Sequence, residues 1–147
     1  MKVFIGADHG GFELKEKLKV FVSNLGFDIE DLGAFQLNLE DDYPDFIIPT
    51  AQKVSQNPDS LGIVIGRSGN GEAIAANKIK GIRAAVCLTS EMARKAKKDN
   101  DANVLSLGAD YVNHSEVENI IKTFLETKFS DEKRHLRRIE KIKALEN

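Results

Sequence analysis

The stretch from Leu61 to Lys78, LGIVIGRSGNGEAIAANK, constrains the fold of this chain more than any other. A short apolar run ends at Gly66, a loop of glycines and small polar residues follows, and an alanine-rich segment with good helix propensity comes next. This order predicts a strand, a glycine loop and a helix. The loop N–H groups and the helix N-terminus then point at one place beyond the carboxyl end of the strand, where they favour negative charge. We therefore expect this loop to bind an anion, or a group that becomes anionic.

Two familiar glycine loops do not fit this stretch. A Walker A loop has Lys and then Ser or Thr after its last glycine, whereas Gly71 is followed by Glu72, whose carboxylate would repel nucleotide phosphates. The dinucleotide-binding fingerprint needs three glycines at fixed spacing, and the pair Gly69 and Gly71 is followed by Ile74. A bound nucleotide is therefore disfavoured.

The loop instead places a hydroxyl, an amide and a carboxylate at the start of a helix, on Ser68, Asn70 and Glu72. These groups suit proton transfer beside an oxyanion hole. An alternative fits the spacing equally well: Glu72 is only a favourable acid in the first helical turn, and Asn70 only a turn residue.

The rest of the chain repeats the strand–helix pattern. Apolar runs predict further strands at 3–7, 27–32, 83–88 and 104–107. Helical periodicity and capping residues predict helices from Phe12 to Leu25, from Tyr43 to Val54, from Thr89 or Ser90 to about Asn100, from Ser115, and from Ser130 to the C-terminus. Five such repeats predict an α/β fold with a parallel sheet covered on both faces and with sites at the carboxyl ends of the strands.

Composition limits the classes of function. The 147 residues fit one domain, 1–147, and the balance of 21 basic against 23 acidic residues argues against nucleic-acid binding. No apolar run is long enough for a signal peptide or a membrane span, so we expect a cytoplasmic protein. The single cysteine, Cys87, lies in an apolar run and is expected to be a buried, inert thiol. The three histidines are too scattered for a ligand cluster, so no metal is assigned.

The last predicted helix is strongly basic. Arg134 and Arg138 lie four residues apart on one face, where two guanidinium groups would suit a phosphate. A solvated basic face paired with its own acids is the alternative. The same helix has an apolar stripe formed by Leu136, Ile139, Ile142 and Leu145, so we expect it to dock on another surface, for which a second subunit is a candidate.

Five segments taken together resemble the type B ribose-5-phosphate isomerases, in the wider family that includes the galactose-6-phosphate and allose-6-phosphate isomerases. They are GADHGGFELK, DDYPDF, GRSGNGEAIAANKIKGIRAAVC, NDANVLSLG and RHLRRIEKI, in this order along the chain. The resemblance implies a Rossmann-like three-layer sandwich with a five-stranded parallel sheet and an extra C-terminal helix. It also implies a phosphorylated sugar as substrate, no cofactor, and a homodimer, often paired into a tetramer, with active sites across the subunit interface.

The resemblance further implies roles for single residues. Many members have a cysteine base at the position of Gly66, and this chain resembles the subfamily with SGNGE, in which the glutamate matching Glu72 takes its place. The catalytic positions are then Glu72, Ser68 and Asp99. The substrate-binding positions are Asp8, His9, Tyr43, Ser68, Gly69, Asn70, Gly71, Asn100, Arg134 and Arg138, and the resemblance takes Arg134 and Arg138 from the neighbouring chain. Arg67 stands where a small residue is usual in the subfamily; it joins the substrate-binding positions as a source of positive charge, and a surface-facing side chain is the alternative.

The implied reaction is the isomerisation of ribose 5-phosphate to ribulose 5-phosphate, a step of pentose phosphate metabolism. Glu72, expected to be ionised at a helix N-terminus, would move the proton, while Ser68 and the N–H groups of residues 69–71 would hold the enediolate oxygen.

Two positions depart from the family pattern. Asp99 stands where most members have a ring-opening histidine, and Asp110 where many have a phosphate-contacting arginine. An aspartate normally ionised near neutral pH accepts a proton but hardly donates one. An isomerase of a six-carbon aldose phosphate and a catalytically silent sugar-phosphate-binding relative therefore stay open as alternatives.

Overall fold

The computed structural model describes residues 1–146, which form five strands and five helices in alternation, followed by a sixth helix. The elements are β1 (Lys2–Ala7), α1 (Phe12–Asn24), β2 (Asp28–Asp31), α2 (Pro44–Gln56), β3 (Leu61–Gly66), α3 (Asn70–Asn77), β4 (Ala84–Val86), α4 (Ser90–Asn100), β5 (Val104–Gly108), α5 (Val117–Glu126) and α6 (Lys133–Lys143), with a 3₁₀ turn at Ala144–Glu146. The predicted order of strands and helices is confirmed.

All strand pairs in the sheet are parallel, and the strand order is β2-β1-β3-β5-β4. Ala7 of β1 lies opposite Ile65 of β3, and Gly66 of β3 lies opposite Gly108 of β5. The three central strands therefore end level with one another. Their residues are almost all buried, as continuous apolar strands of a parallel sheet should be.

Helices cover both faces of the sheet and make two separate apolar cores. One core joins the sheet to α1, α4 and α5, and the other joins it to α2 and α3. The fold is thus the expected three-layer α/β sandwich. Within residues 1–146, no helix combines the length and the apolar character needed to cross a lipid bilayer.

The extra helix α6 packs on α4 through a narrow strip. His135 and Ile139 are buried there, whereas Leu136, Ile142 and Leu145 of the predicted apolar stripe are 40%, 47% and 86% exposed. Most of that stripe therefore has no cover within one chain.

Some predicted helix starts are wrong by two or three residues. The Ser115 hydroxyl and N–H donate to Asn113 Oδ1, and this turn delays α5 until Val117. Ser130 Oγ accepts the N–H of Glu132, so α6 begins only at Lys133. Thr89 caps α4 as one of the two predicted candidates, because its Oγ1 accepts the N–H of Met92 at 3.1 Å.

A buried ion-pair network fastens α1 to the end of β2. The Lys15 side chain is fully buried, and its Nζ lies 2.6 Å from Asp31 Oδ2; Lys19 Nζ lies 2.8 Å from the same oxygen. The other oxygen, Asp31 Oδ1, accepts the Gly33 N–H at 2.8 Å. Burial alone would raise the pKa of Asp31, but hydrogen bonds from Lys15, Lys19 and Gly33 outweigh burial and hold that pKa below its ordinary value.

Asp31→Asn should lower the free energy of unfolding at pH 7 by about 3 kcal/mol, because it leaves the Lys15 ammonium buried without its main counter-charge. The carboxylate stabilises the fold above its unfolded pKa, and that contribution is lost as pH falls through the lower folded value. Urea unfolding of the unsubstituted protein between about pH 5 and pH 2 should therefore lose stability more steeply than the variant does. Asp28→Asn, at an exposed position on the same strand, is the matched control and should change little. If the free energy of unfolding fell equally steeply with decreasing pH for Asp31→Asn and for the parent, this account would be contradicted.

Candidate active site

The candidate site lies where β1 and β3 end side by side. The chain leaves β1 towards α1 on one face of the sheet and leaves β3 towards α3 on the other face. The two loops therefore diverge and leave a crevice between them, which is where open parallel sheets bind their ligands. Asp8 and His9 follow β1, and the 67–72 segment follows β3.

The loop after β3 is fixed by contacts with β5. Gly69 caps α3 with φ +82°, a left-handed conformation that glycine adopts without strain. Its carbonyl accepts the buried Ser106 hydroxyl at 2.7 Å, and Gly108 leaves room for the Ser68 backbone, which a side chain there would overlap. Ser106 was not predicted from the sequence, where its only signal is a hydroxyl within an otherwise apolar strand.

Ser68 and Asn70 interact with each other inside this loop. The N–H of Asn70 donates to Ser68 Oγ at 3.2 Å, so that N–H is already engaged and is not free for an oxyanion, contrary to the expected hole. The Asn70 side chain is exposed. The Ser68 hydroxyl proton and the main chain around Gly71 remain available to a ligand in the crevice.

Glu72 is almost completely buried, at 3% exposure, although it lies in the first turn of α3. An acid that only complements the helix dipole would lie in solvent. Burial raises the pKa of Glu72, the main-chain N–H groups of Glu72 and Gly69 partly oppose that shift, and the charge of Asp8 adds to it. The carboxyl oxygen Oε2 is buried without a hydrogen-bond partner among the described residues, an arrangement that is common at functional sites.

The Glu72 carboxyl group fills the space beside Gly66. A Cβ atom added to Gly66 would overlap both Glu72 oxygens and their carbon. Any side chain at position 66 would therefore occupy the same place as the Glu72 carboxylate at the end of β3. Gly66 is what allows Glu72 to point into the site.

Tyr43 lies against the glycine loop that follows β3. It precedes the first residue of α2, and its ring lies so close to Gly71 that a Cβ there would come within 2.6 Å of Tyr43 Cζ. The glycine thus lets an aromatic face approach the loop that carries Glu72. Tyr43 and the loop are brought together as expected.

The side chains after β1 form a second polar group. Asp8 is 7% exposed, and its Oδ1 accepts the Gly10 N–H at 2.9 Å. His9 Nδ1 lies 2.6 Å from Asp41 Oδ1, which also accepts the His9 N–H at 3.1 Å. Possible metal-ligand atoms of Asp8, His9 and Asp41 lie within 4.8 Å of one another, a grouping that the sequence did not predict, but the short His9–Asp41 bond leaves little room for an ion between that pair. Asp41 itself was missed, because a polar loop of ten residues gives no signal of where its acids point.

A cleft of about 360 Å³ opens beside this group, within the size range of small-molecule sites. His9, Gly10, Arg67, Asp110 and His114 are among its lining residues. The Arg67 guanidinium is mostly exposed and lies 3.8 Å from Asp110 Oδ2. Asp110 thus partly neutralises the positive charge that Arg67 brings to the cleft.

Four of the expected site residues lie elsewhere in the same chain. Asp99 and Asn100 end α4, which runs back about 16 Å towards the amino ends of the strands. Arg134 and Arg138 are exposed on α6, whose buried His135 bonds the Asp99 carbonyl through Nδ1 at 2.9 Å. These four residues form a second cluster, remote from Glu72. Asp99 Oδ2 lies 3.4 Å from Lys95, and Arg134 Nε lies 2.8 Å from Glu132.

Cys87 takes no part in either cluster. It is 1% exposed in the core below α4, and burial raises the pKa of its thiol to about 11. The expectation of a buried cysteine is confirmed, and a thiol with so high a pKa is a poor nucleophile at neutral pH.

A family model for ribose/galactose isomerases matches residues 3–142 of the chain. Ribose-5-phosphate isomerase B of Mycolicibacterium paratuberculosis is 42% identical over 140 residues, which are 95% of this chain and 88% of that protein. Two solved structures are similar over 99% of the chain. The ribose-5-phosphate isomerase B of Clostridium thermocellum is 43% identical, is covered to 97% and has a TM-score of 0.94. That of Mycoplasma genitalium, crystallised with ribulose 5-phosphate, is 40% identical, is covered to 95% and has a TM-score of 0.95.

Substitution at Gly66 tests whether the Glu72 carboxyl group fills the space beside it. Gly66→Ala should lower the free energy of unfolding by about 1–3 kcal/mol, because the new methyl group overlaps the carboxyl group in a packed site. In a Glu72→Ala background the same change should cost clearly less. Urea unfolding of the four proteins gives the coupling energy between the two positions. Equal costs in both backgrounds would show that the carboxyl group lies elsewhere.

Proposed function

The chain belongs to the ribose/galactose isomerase family, and from that premise we propose that it interconverts ribose 5-phosphate and ribulose 5-phosphate, with Glu72 as the base. Such a step belongs to pentose phosphate metabolism. The relatives described above are ribose-5-phosphate isomerases, and they match this chain over nearly their whole length. One of them has a structure with bound ribulose 5-phosphate. The observation that carries the proposal for Glu72 is the buried carboxyl group that fills the space beside Gly66.

The chemistry asks for one group that removes a proton from carbon and returns it to the neighbouring carbon. A carboxylate without a fixed hydrogen-bond partner on one oxygen can do both, and Glu72 Oε2 has no such partner among the described residues. The raised pKa of Glu72 makes it a stronger base than an exposed glutamate, provided that it is ionised. Its activity as a base should therefore be lost as the pH falls through that raised pKa.

The enediolate that forms carries its charge on oxygen and needs donors beside the base. The Ser68 hydroxyl and the main chain around Gly71 lie at the start of α3, where the helix dipole also favours negative charge. Ser106 supports these donors because it holds the Gly69 carbonyl, and Tyr43 lies against the same loop. The loop can thus stabilise the intermediate while Glu72 moves the proton.

A complete site requires two chains in this proposal. Asp99, Asn100, Arg134 and Arg138 are too far from Glu72 within one chain to share a substrate with it, so they serve the Glu72 cluster of a second copy. Exposed apolar residues support such a contact: Ile74 on α3, Met92 on α4, Tyr111 after β5, and Leu136, Ile142 and Leu145 on or after α6. The arginines would then hold the phosphate across a homodimer interface.

Glu72→Gln should lower ribulose 5-phosphate formation by at least about 100-fold and leave substrate binding within a few-fold, since an amide fills the space but cannot take the proton. Turnover is measured with a panel of five- and six-carbon aldose phosphates, and binding by calorimetry. Glu118→Gln makes the same change in the first turn of α5 and should have full activity. Conversion of a six-carbon aldose phosphate in preference to ribose 5-phosphate, or of none of them, would refute the substrate assignment.

Mixed dimers test the two-chain site. A chain with Glu72→Gln and a chain with Arg134→Ala and Arg138→Ala should each be nearly inactive alone at low substrate concentration. Co-expressed with two different tags, they should give a purified heterodimer in which one of the two sites has both Glu72 and the two arginines intact, and activity should return. If each site were built within one chain, the heterodimer would show no more activity than the arginine variant contributes.

A further inference from the structure

Ring opening is the step for which the Glu72 site does not account. The aldehyde form of a five-carbon sugar phosphate reacts, but the sugar rests mainly as a ring. Opening the ring moves one proton off the anomeric hydroxyl and one proton onto the ring oxygen, while the bond between that oxygen and the anomeric carbon breaks. A single group can accept the first proton and donate the second, and it then ends the step in the protonation state in which it began. Imidazole can do both near neutral pH.

Only one of the three histidines combines a place on the cleft with a fixed orientation. His135 is 5% exposed between α4 and α6, where its Nδ1 bonds a main-chain carbonyl. His114 is exposed and lines the cleft, without a hydrogen bond from its ring to any described residue. His9 lines the same cleft, has 19% of its side chain exposed, and is held by Asp41.

The Asp41 contact determines which ring nitrogen of His9 is presented to a ligand. An ionised carboxylate can only accept hydrogen bonds, so the 2.6 Å contact places a proton on Nδ1 of the imidazole. Nε2 then carries the lone pair in the neutral ring and is the nitrogen left for the cleft. The second bond, from the His9 N–H to the same Asp41 oxygen, fixes the backbone as well as the ring.

Asp41 is also placed to stabilise a charged His9. Its side chain is only 8% exposed, and its second oxygen, Oδ2, is buried without a partner among the described residues. A buried carboxylate with one unpaired oxygen gains from a positive charge beside it. The imidazolium that forms when Nε2 takes a proton supplies that charge, as in other carboxylate–histidine pairs.

His9 is also close to the proposed base. β1 and β3 are neighbours and end together, and a Cβ on Gly10 would lie 3.1 Å from the Arg67 N atom, so the two loops touch. The charge of Asp8, the residue before His9, helps to raise the pKa of Glu72. By contrast, Asp99 of the same chain lies beside Lys95 and His135 at the far end of α4.

From this geometry we infer that His9, held by Asp41, opens the sugar ring, and that Asp41 is the positioning residue of this pair. The inference rests on the proposed isomerisation. His9 Nε2 takes the proton of the anomeric hydroxyl, the ring C–O bond breaks, and the imidazolium returns a proton to the ring oxygen. Glu72 then acts on the open aldehyde.

Two measurements separate ring opening from enolisation. Ribulose 5-phosphate has its C5 oxygen esterified and is open-chain, so exchange of its C1 hydrogen with D2O, followed by ¹H NMR, needs only Glu72 and the enediolate. Turnover of ribose 5-phosphate needs ring opening as well. Asp41→Asn should lower ribose 5-phosphate turnover at saturating substrate by at least about 10-fold and leave the exchange rate within about two-fold. His9→Asn should show the same pattern.

Asp42→Asn is the matched control, because it makes the same change at an exposed neighbouring position and should alter neither rate. ¹⁵N NMR of the histidines should report a protonated Nδ1 and a bare Nε2 for His9 in the parent, and a weakened preference for this tautomer in Asp41→Asn. A variant that fails to fold is recognised in the same spectra, and Asp41→Ser then replaces it.

The inference is overturned if Asp41→Asn lowers exchange and turnover equally, which would indicate a binding or structural role, or if it lowers neither. It is also overturned if Asp99→Asn, and not Asp41→Asn, spares the exchange while slowing turnover. A parent protein that catalyses neither reaction would instead contradict the proposed isomerisation, so the two failures are distinguishable.

Discussion

The site depends on a carboxyl group that is buried where the sheet ends. Burying a carboxylate is unfavourable unless nearby groups compensate, and Glu72 receives only partial help from the N–H groups at the start of α3. Three glycines make room for the carboxyl group and for the loop that carries it. Gly66 makes space for the carboxyl group, Gly69 allows the loop to turn with a positive φ, and Gly108 lets the loop lie against β5. A side chain at any of these positions would shift Glu72, its donors or both.

The direction of the strand–helix units divides the remaining residues into two groups. Loops after parallel strands meet at the carboxyl edge, so Asp8, His9 and the 67–72 segment meet there regardless of their separation in the sequence. A helix that follows a strand runs back, so its last residues, Asp99 and Asn100, come to the opposite edge. Since α6 packs on α4, its arginines join that second group. Within one chain, the two groups therefore lie at opposite edges of the sheet.

The sequence predicts the fold well because the strands are buried on both faces and therefore read as continuous apolar runs. It also predicts the Glu72 loop, because glycines and small polar residues between a strand and a helix are typical of a ligand-binding loop. It does not predict Asp41, Ser106 or the close approach of Tyr43 to Gly71, because these contacts join residues that are far apart in the sequence, and Asp41 also lies in a loop without regular structure. The helix starts at Ser115 and Ser130 failed because each hydroxyl bonds within a preceding turn instead of capping the helix.

The ion-pair network under α1 connects stability to the arrangement of the site. Asp31 binds Lys15 and Lys19 through one oxygen and the Gly33 N–H through the other, so the start of the loop that carries Asp41 is held by the same carboxylate that fastens α1. The loop then returns to β1, where Ala34 donates to the Ala7 carbonyl and Asp41 accepts from His9. His9 is thus positioned from both sides, by β1 through the backbone and by the loop through Asp41. The Asp31 network thus holds one end of the loop whose other end, at Asp41, contacts the His9 imidazole.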